Sequence, residues 1–191
     1  MAVRKILQIG HPVLAARASQ VDESLIQSRE VKKWISDMVD TMRDANGAGI
    51  AANQIGIPYR IFIIEIGDNP RYPYKPTVPL TIVINPEIRF LSDKTFESNE
   101  GCLSVPNMRA EVTRNLEIEV SYFDQEGKIY IQQIRGYSAC TWQHEHDHLN
   151  GILFPHRVTD PTTFCSWSVF QQFKQSEFAQ RVENLVEEWG A

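Results

Sequence analysis

The sequence predicts an α+β fold in which mixed or antiparallel β-sheets pack around a central helix carrying His-Glu-x-x-His, followed by a C-terminal helix. Three observations predict it. Helical spacing marks a stretch near the start, a histidine-rich stretch late in the chain and the tail. Strand-like runs fill the middle. No regular βαβ alternation joins the two kinds of segment, as it would in a parallel α/β protein.

After an irregular N-terminal segment containing "GHPVLA", the stretch "SREVKKWISDMVDTMRDANG" places Val31, Trp34, Ile35, Met38, Val39 and Met42 at helical spacing. Ser28 is its expected N-cap and Gly47 lies just past its end. Strands are expected at "YRIFIIEI", "LTIVINP", "LEIEVSYF" and "KIYIQQI". The last two alternate in polarity and are joined by "DQEG", a hairpin with glycine at the bulge position. Between the first two lies "GDNPRYPYKPTVP", whose prolines read as an ordered surface loop. "GYSACTWQHEHDHLNG" is expected to be a helix ended by Gly151, and the tail to hold one or two more helices.

A chain of 191 residues suffices for one compact domain, and no linker divides it, so residues 1–191 are expected to form a single catalytic domain. Hydrophobic residues at 42% and charged residues at 23% suit a soluble globular protein. A net charge of -5 removes the bulk electrostatic reason to expect nucleic-acid binding. No apolar run approaches the ~18 residues needed to span a bilayer, and the start lacks a secretory apolar region, so a cytoplasmic location is expected. Cys102, Cys140 and Cys165 are an odd number at no framework spacing, which favours free thiols.

The chemistry concentrates in "QHEHDHLNG", Gln143 to Gly151. His144 and His148 are one helical turn apart on one face and can share a metal ion. Glu145 is rotated about 100° from His144, out of ligating position but within reach of a water bound at the ion, as a general base must be. His146 is rotated about 200° and is expected to pack or face solvent.

A catalytic site of this type takes a third protein ligand. The metzincin pattern places a histidine where Phe154 stands. A thermolysin-like site would draw a glutamate from a later helix, where Glu177, Glu183, Glu187 and Glu188 are available. Cys140 shares the helix but lies about 12 Å along its axis from residue 148, too far to join the same ion easily. Cys102, in "NEGCLSVP", follows a glycine outside any amphipathic helix and is the remaining candidate.

Three segments together carry a resemblance. "GAGIAANQ" (Gly47 to Gln54), "EGCLS" (Glu100 to Ser104) and "QHEHDHLNG" stand in the order and approximate spacing of the signature motifs of peptide deformylases. The chain resembles that family from "ILQIGHPVL" to "HLNGILFP". The resemblance implies that Cys102, His144 and His148 bind one divalent metal ion, natively Fe2+, with Zn2+, Ni2+ or Co2+ able to substitute. Glu145 would be the general acid/base, and the Gln54 side-chain amide with the Leu103 backbone N–H would form an oxyanion hole. Ala48, Gly49 and Gly101 match positions that pair with an extended peptide, and Tyr137 and Thr141 fall where the family lines its methionine pocket. The implied substrates are formyl-methionyl nascent peptides, with transient ribosome contact and no membrane partner. The sequence departs from the family pattern at Asn53, Cys140 and His146, and Ala48 is smaller than the usual branched residue. A zinc metallopeptidase and a closed structural metal module are the alternative readings.

Overall fold

In a computed structural model, residues 2–67, 69 and 71–190 are described. The helix predicted near the start is α2 (Arg29–Asp44), which follows a single-turn helix α1 (Pro12–Ala15) within "GHPVLA". The Ser28 hydroxyl caps α2 by accepting from the Val31 N–H at 3.2 Å. The residue that leaves the helix with positive φ is Asn46 at 50°, one position before the expected glycine.

A five-stranded antiparallel sheet has the order β1-β2-β3-β6-β7. Its members are β1 (Gly49–Ala51), β2 (Ile61–Ile66), β3 (Val78–Phe90), β6 (Glu117–Phe123) and β7 (Ile129–Arg135). β2 from Ile61 to Ile64 and the part of β3 from Ile82 to Ile84 are apolar on both sides because both faces of the sheet are covered there. Ile61, Ile63 and Ile84 pack on one face with Val31, Ile35, Met38 and Met42 of α2. Phe62, Ile64 and Val83 face the other way, toward the histidine-bearing helix α3 (Gly136–Leu149). The predicted β6–β7 hairpin is present, with Gly127 at φ 75° in its turn.

The second sheet is larger than the sequence suggested. β4 (Thr95–Cys102) and β5 (Val105–Asn115) form a long hairpin, and the short β8 (Cys165–Ser166) joins it in the order β4-β5-β8. Polar residues of this hairpin, among them Ser98, Asn99, Glu100, Arg109 and Arg114, are buried, which hid its strands from a reading based on apolar alternation. The tail folds as a short helix α4 (Trp167–Val169), a wide turn at Phe170–Lys174 and the helix α5 (Gln175–Trp189). Phe178, Val182 and Leu185 of α5 close the core around α3.

The proline-rich loop departs from the expected surface position. Asp68 and Pro70 lie outside the described residues, but Tyr72 and Tyr74 are buried and packed in the core beside α3. Among the described residues, no helix is long and apolar enough to cross a membrane.

Candidate metal centre and active site

Most residues of α3 are buried, polar ones included, so this helix is a central pillar rather than an amphipathic surface helix. It presents His144 and His148 toward the C-terminal end of β4, where Cys102 stands. One donor atom from each of these three residues lies within 4.8 Å of the others, and Cys102 Sγ is 3.3 Å from His148 Nε2. Metal bonds of about 2.0–2.3 Å put tetrahedral donors about 3.3–3.7 Å apart, so the spacing suits one ion. A thiolate with two imidazoles is a donor set for zinc or ferrous iron rather than magnesium or calcium. Cys140, Phe154 and the four tail glutamates are not in the cluster.

The ligands are oriented from behind. His144 Nδ1 lies 2.7 Å from Glu100 Oε2, which leaves Nε2 for an ion. Glu100 is itself gripped by Arg114, whose Nε and Nη2 donate to its two oxygens at 2.7 and 2.9 Å. Arg114 Nη1 reaches Asp147 Oδ2 at 2.6 Å, and Arg157 donates to the other oxygen of Asp147. Burial works against the charge on Glu100, but Arg114 and the bond from His144 hold its carboxyl well below the usual range. On the other imidazole, Asn53 Nδ2 donates to the His148 carbonyl, and His148 Nδ1 is buried with no protein partner. Burial keeps His148 well below its ordinary pKa and therefore neutral, the form that binds metal.

Glu145 lines the same cleft, buried, with Oε2 lacking any protein partner. Burial lifts its carboxyl to about 7. Such an orphaned carboxylate oxygen fits a site completed by an ion and a water. The close approach of β1 makes room only because residue 49 is glycine: a Cβ there would stand 2.5 Å from Glu145 Oε1. Gln54 lies opposite, its orientation fixed at both ends. Its Oε1 accepts from the Ala51 N–H at 2.8 Å, and its Nε2 points to Ser104 Oγ at 2.9 Å and Cys102 Sγ at 3.5 Å. Leu103 follows Cys102 in the turn between β4 and β5 and lines the cleft.

The cleft runs between two sheet edges. β1, with Ala48 and Gly49 at its start, is the outer strand of the large sheet, and β4, with Gly101, is the outer strand of the small one. Tyr137 and Thr141 lie two turns and one turn before His144 along the cleft wall, Tyr137 buried against Tyr74, Phe96 and Phe178. His146 points away from the cluster, with Nε2 3.1 Å from Arg60 Nη2, and Cys140 is a buried residue of the core.

Sequence reasoning missed Glu100, Asp147, Arg114 and Lys75, whose ammonium turns inward from the proline-rich loop into the cleft lining and donates to Thr141 Oγ1 at 3.2 Å. Glu100 and Asp147 stood inside quoted motifs, so their acidity beside proposed ligands was the signal. Arg114 carried none, since a lone arginine in a strand reads as solvated.

The chain has counterparts among known proteins. The family model described as Polypeptide deformylase matches residues 3–164. A peptide deformylase of Leptospira biflexa is 45% identical over 165 residues, covering 86% of this chain and 92% of that one. Peptide deformylase 2 of a Nostoc species is 42% identical over 153 residues, covering 80% and 84%. Among solved structures, a class I type b peptide deformylase from Acinetobacter baumannii with Met-Ala-Ser bound superposes with a TM-score of 0.79 at 36% identity, covering 82% of this chain and 99% of that one. That of Ehrlichia chaffeensis reaches 0.74 at 27% identity, covering 96% of each. With a family model spanning most of its length, relatives this similar, and a Cys/His/His cluster beside a buried glutamate, the chain belongs to the polypeptide deformylase family.

Proposed function

We propose that the chain, acting as one catalytic domain over residues 1–191, hydrolyses the N-terminal formyl group of formyl-methionyl nascent polypeptides to formate and a free amino terminus. The observation that carries this reading is the orphaned Glu145 carboxylate beside the Cys102, His144 and His148 cluster. Those three residues hold one divalent ion, natively Fe2+, with Zn2+, Ni2+ or Co2+ able to replace it. When bound, such an ion lowers the pKa of a water from 15.7 to about 7 and polarises a carbonyl.

The chain's own groups do the rest. Glu145 takes a proton from the attacking water and returns it to the departing amine nitrogen, so one carboxylate serves as base and then acid. Gln54 Nε2 and the Leu103 N–H donate to the carbonyl oxygen as it gains charge, and the bond from Ala51 keeps that amide aimed before substrate arrives. The backbones of Ala48, Gly49 and Gly101 pair with an extended peptide laid between the two sheet edges, as strand addition requires. Tyr137 and Thr141 border the first side chain. The Acinetobacter relative binds Met-Ala-Ser, a peptide of the kind this reaction releases, which supports a peptide in the cleft. The ribosome is a transient partner in this reading, and the cytoplasm its location.

The deciding experiment loads the protein anaerobically with Fe2+, adds formyl-Met-Ala-Ser and assays formate. Stoichiometric formate with an intact Met-Ala-Ser product is expected. Cleavage at an internal peptide bond, or no formate from protein holding one ion per chain, overturns the proposal.

A further inference from the structure

The cleft continues past the metal cluster into a second hollow of about 320 Å³, which shares Gly101 and Cys102 with it. Arg71, Asn107, Met108 and Trp167 are among its walls, and among the described residues no acidic side chain lines it. Arg71, from the proline-rich loop, bridges the two sides of the cleft. Its Nη1 donates to the Ala45 carbonyl at 3.1 Å, just before β1. Its guanidinium carbon lies 5.0 Å from the ring centre of Trp167 and 5.5 Å from that of Tyr72. Trp167 belongs to the opposite side, its backbone N–H donating to Asn107 Oδ1 of β5 at 3.2 Å. It stands beyond residue 164, where the family match ends. The other N–H groups of the Arg71 guanidinium have no protein partner among the described residues. A second guanidinium, that of the buried Arg109, lies 4.7 Å from the Trp167 ring centre, and its Nη1, packed against Gly101, has no partner either. Neither arginine has an ion-pair partner among the described residues.

We propose that Arg71 makes the enzyme act fastest on formyl-methionyl chains whose second residue is acidic. This rests on the deformylase reading and deepens it: methionine stays the first residue, and the hollow reads the one after it. Side chains of an extended peptide alternate in direction, so when the first points to Tyr137 and Thr141 the second points away from them. The hollow holds neither Tyr137 nor Thr141, but it shares Gly101, the β4 residue proposed to pair with the peptide backbone. A carboxylate entering it meets a planar fork of donors that both of its oxygens can engage. The two rings and the Ala45 carbonyl already hold that fork in place, so little side-chain freedom is lost on binding. A lysine at the same position meets two cations and no anion, and like-charge repulsion slows its chain. Because Arg71 is only half-buried, solvent screens part of the effect, and the selectivity expected is about tenfold.

The test measures kcat/KM at pH 7 and low salt on metal-loaded protein for formyl-Met-X-Ser amides, where X is glutamate, glutamine or lysine. The terminal amide removes a carboxylate that would otherwise supply the anion itself. Wild type, Arg71→Gln and Arg71→Lys are compared, with metal content determined on each preparation. Wild type is expected to favour glutamate over lysine by about tenfold or more, with glutamine between them. In Arg71→Gln that ratio drops by more than about threefold, while Arg71→Lys, which keeps the charge, retains it within about threefold. A wild-type ratio below about tenfold, or a smaller drop in Arg71→Gln than in Arg71→Lys, overturns the proposal, as does an equal loss for every peptide in Arg71→Gln. Absence of formate from every peptide with metal-loaded wild type would instead defeat the deformylase reading.

Discussion

His144 Nδ1 and Glu100 Oε2 stand 2.7 Å apart, joining a ligand on α3 to a carboxylate on β4. Because Arg114 keeps Glu100 ionised despite burial, the carboxylate can only accept, so Nδ1 carries the hydrogen of this bond and Nε2 is the nitrogen left for an ion held with Cys102 and His148. The network continues through Arg114 to Asp147, one residue before His148. Both ends of the two-histidine turn are thereby tied to the small sheet, which fixes where an ion can sit before it arrives.

Glu100→Gln keeps the shape of that contact and removes its charge. Metal affinity is expected to fall about 10- to 100-fold, the usual effect of losing such a partner behind a ligand. Competition against a chelator of known affinity measures it, and an unchanged dissociation constant would show that Glu100 does not orient His144.

Arg114→Met leaves two buried carboxylates facing each other with the cation between them gone, since Glu100 and Asp147 both pair with it. Breaking a buried pair in this way costs about 3–5 kcal/mol. Thermal denaturation of the metal-free protein should show a fall of roughly 2–4 °C per kcal/mol for a chain of this size. A Tm within about 2 °C of wild type would mean that Arg157 and solvent replace what is lost.

The elements legible in the sequence are those whose burial is periodic or continuous. α2 shows one apolar face, and β2 is apolar from Ile61 to Ile64 because helices cover both sides of its sheet there. β4 and β5 escaped notice because many of their buried positions are polar, with Glu100 bonded to Arg114 and Asn99 to Arg109, and so leave no hydrophobic pattern. The metal ligands were legible by spacing and motif, since His144 and His148 share a helical face by geometry alone. Cys102 was reached only through the resemblance its motif carries: its place beside them depends on pairing between Gly101 and Arg109, a register that no local pattern encodes. The inward turn of Lys75 was hidden for a related reason, since a proline-rich stretch announces a loop but not the surface it folds onto.

Gly49→Ala tests how closely β1 fits Glu145. The added methyl would stand 2.5 Å from Oε1 and 2.9 Å from Cδ, so the carboxylate must move. One ion per chain should be retained, because no ligand is touched, while kcat falls toward the level of Glu145→Gln. That second variant should lose about 10²- to 10⁴-fold, the contribution of a positioned general acid/base. Metal content and formate release on the same preparations decide the point. Retained metal with kcat within a few-fold of wild type in Glu145→Gln would remove that carboxylate from the chemistry.

Lys75→Met should stabilise the fold, because it removes a buried cation. Burial pulls the ammonium from 10.5 to about 8; Arg109 pushes the same way, and Glu100, Glu145 and Cys140 oppose it. A lysine whose pKa is lower in the folded state binds its proton less tightly there, so folding bears the full cost of the charge below about pH 8. Between about 8 and 10.5 the unfolded chain holds more protons than the folded one, and stability relative to the neutral variant recovers as pH rises. The difference in Tm between Lys75→Met and wild type is therefore expected to be positive at pH 7 and to shrink by pH 10. Since both proteins share every other titrating group, the difference isolates Lys75 from the general loss of stability in base. A gap that stays constant or widens with pH would mean that the ammonium is solvated and bears no burial cost.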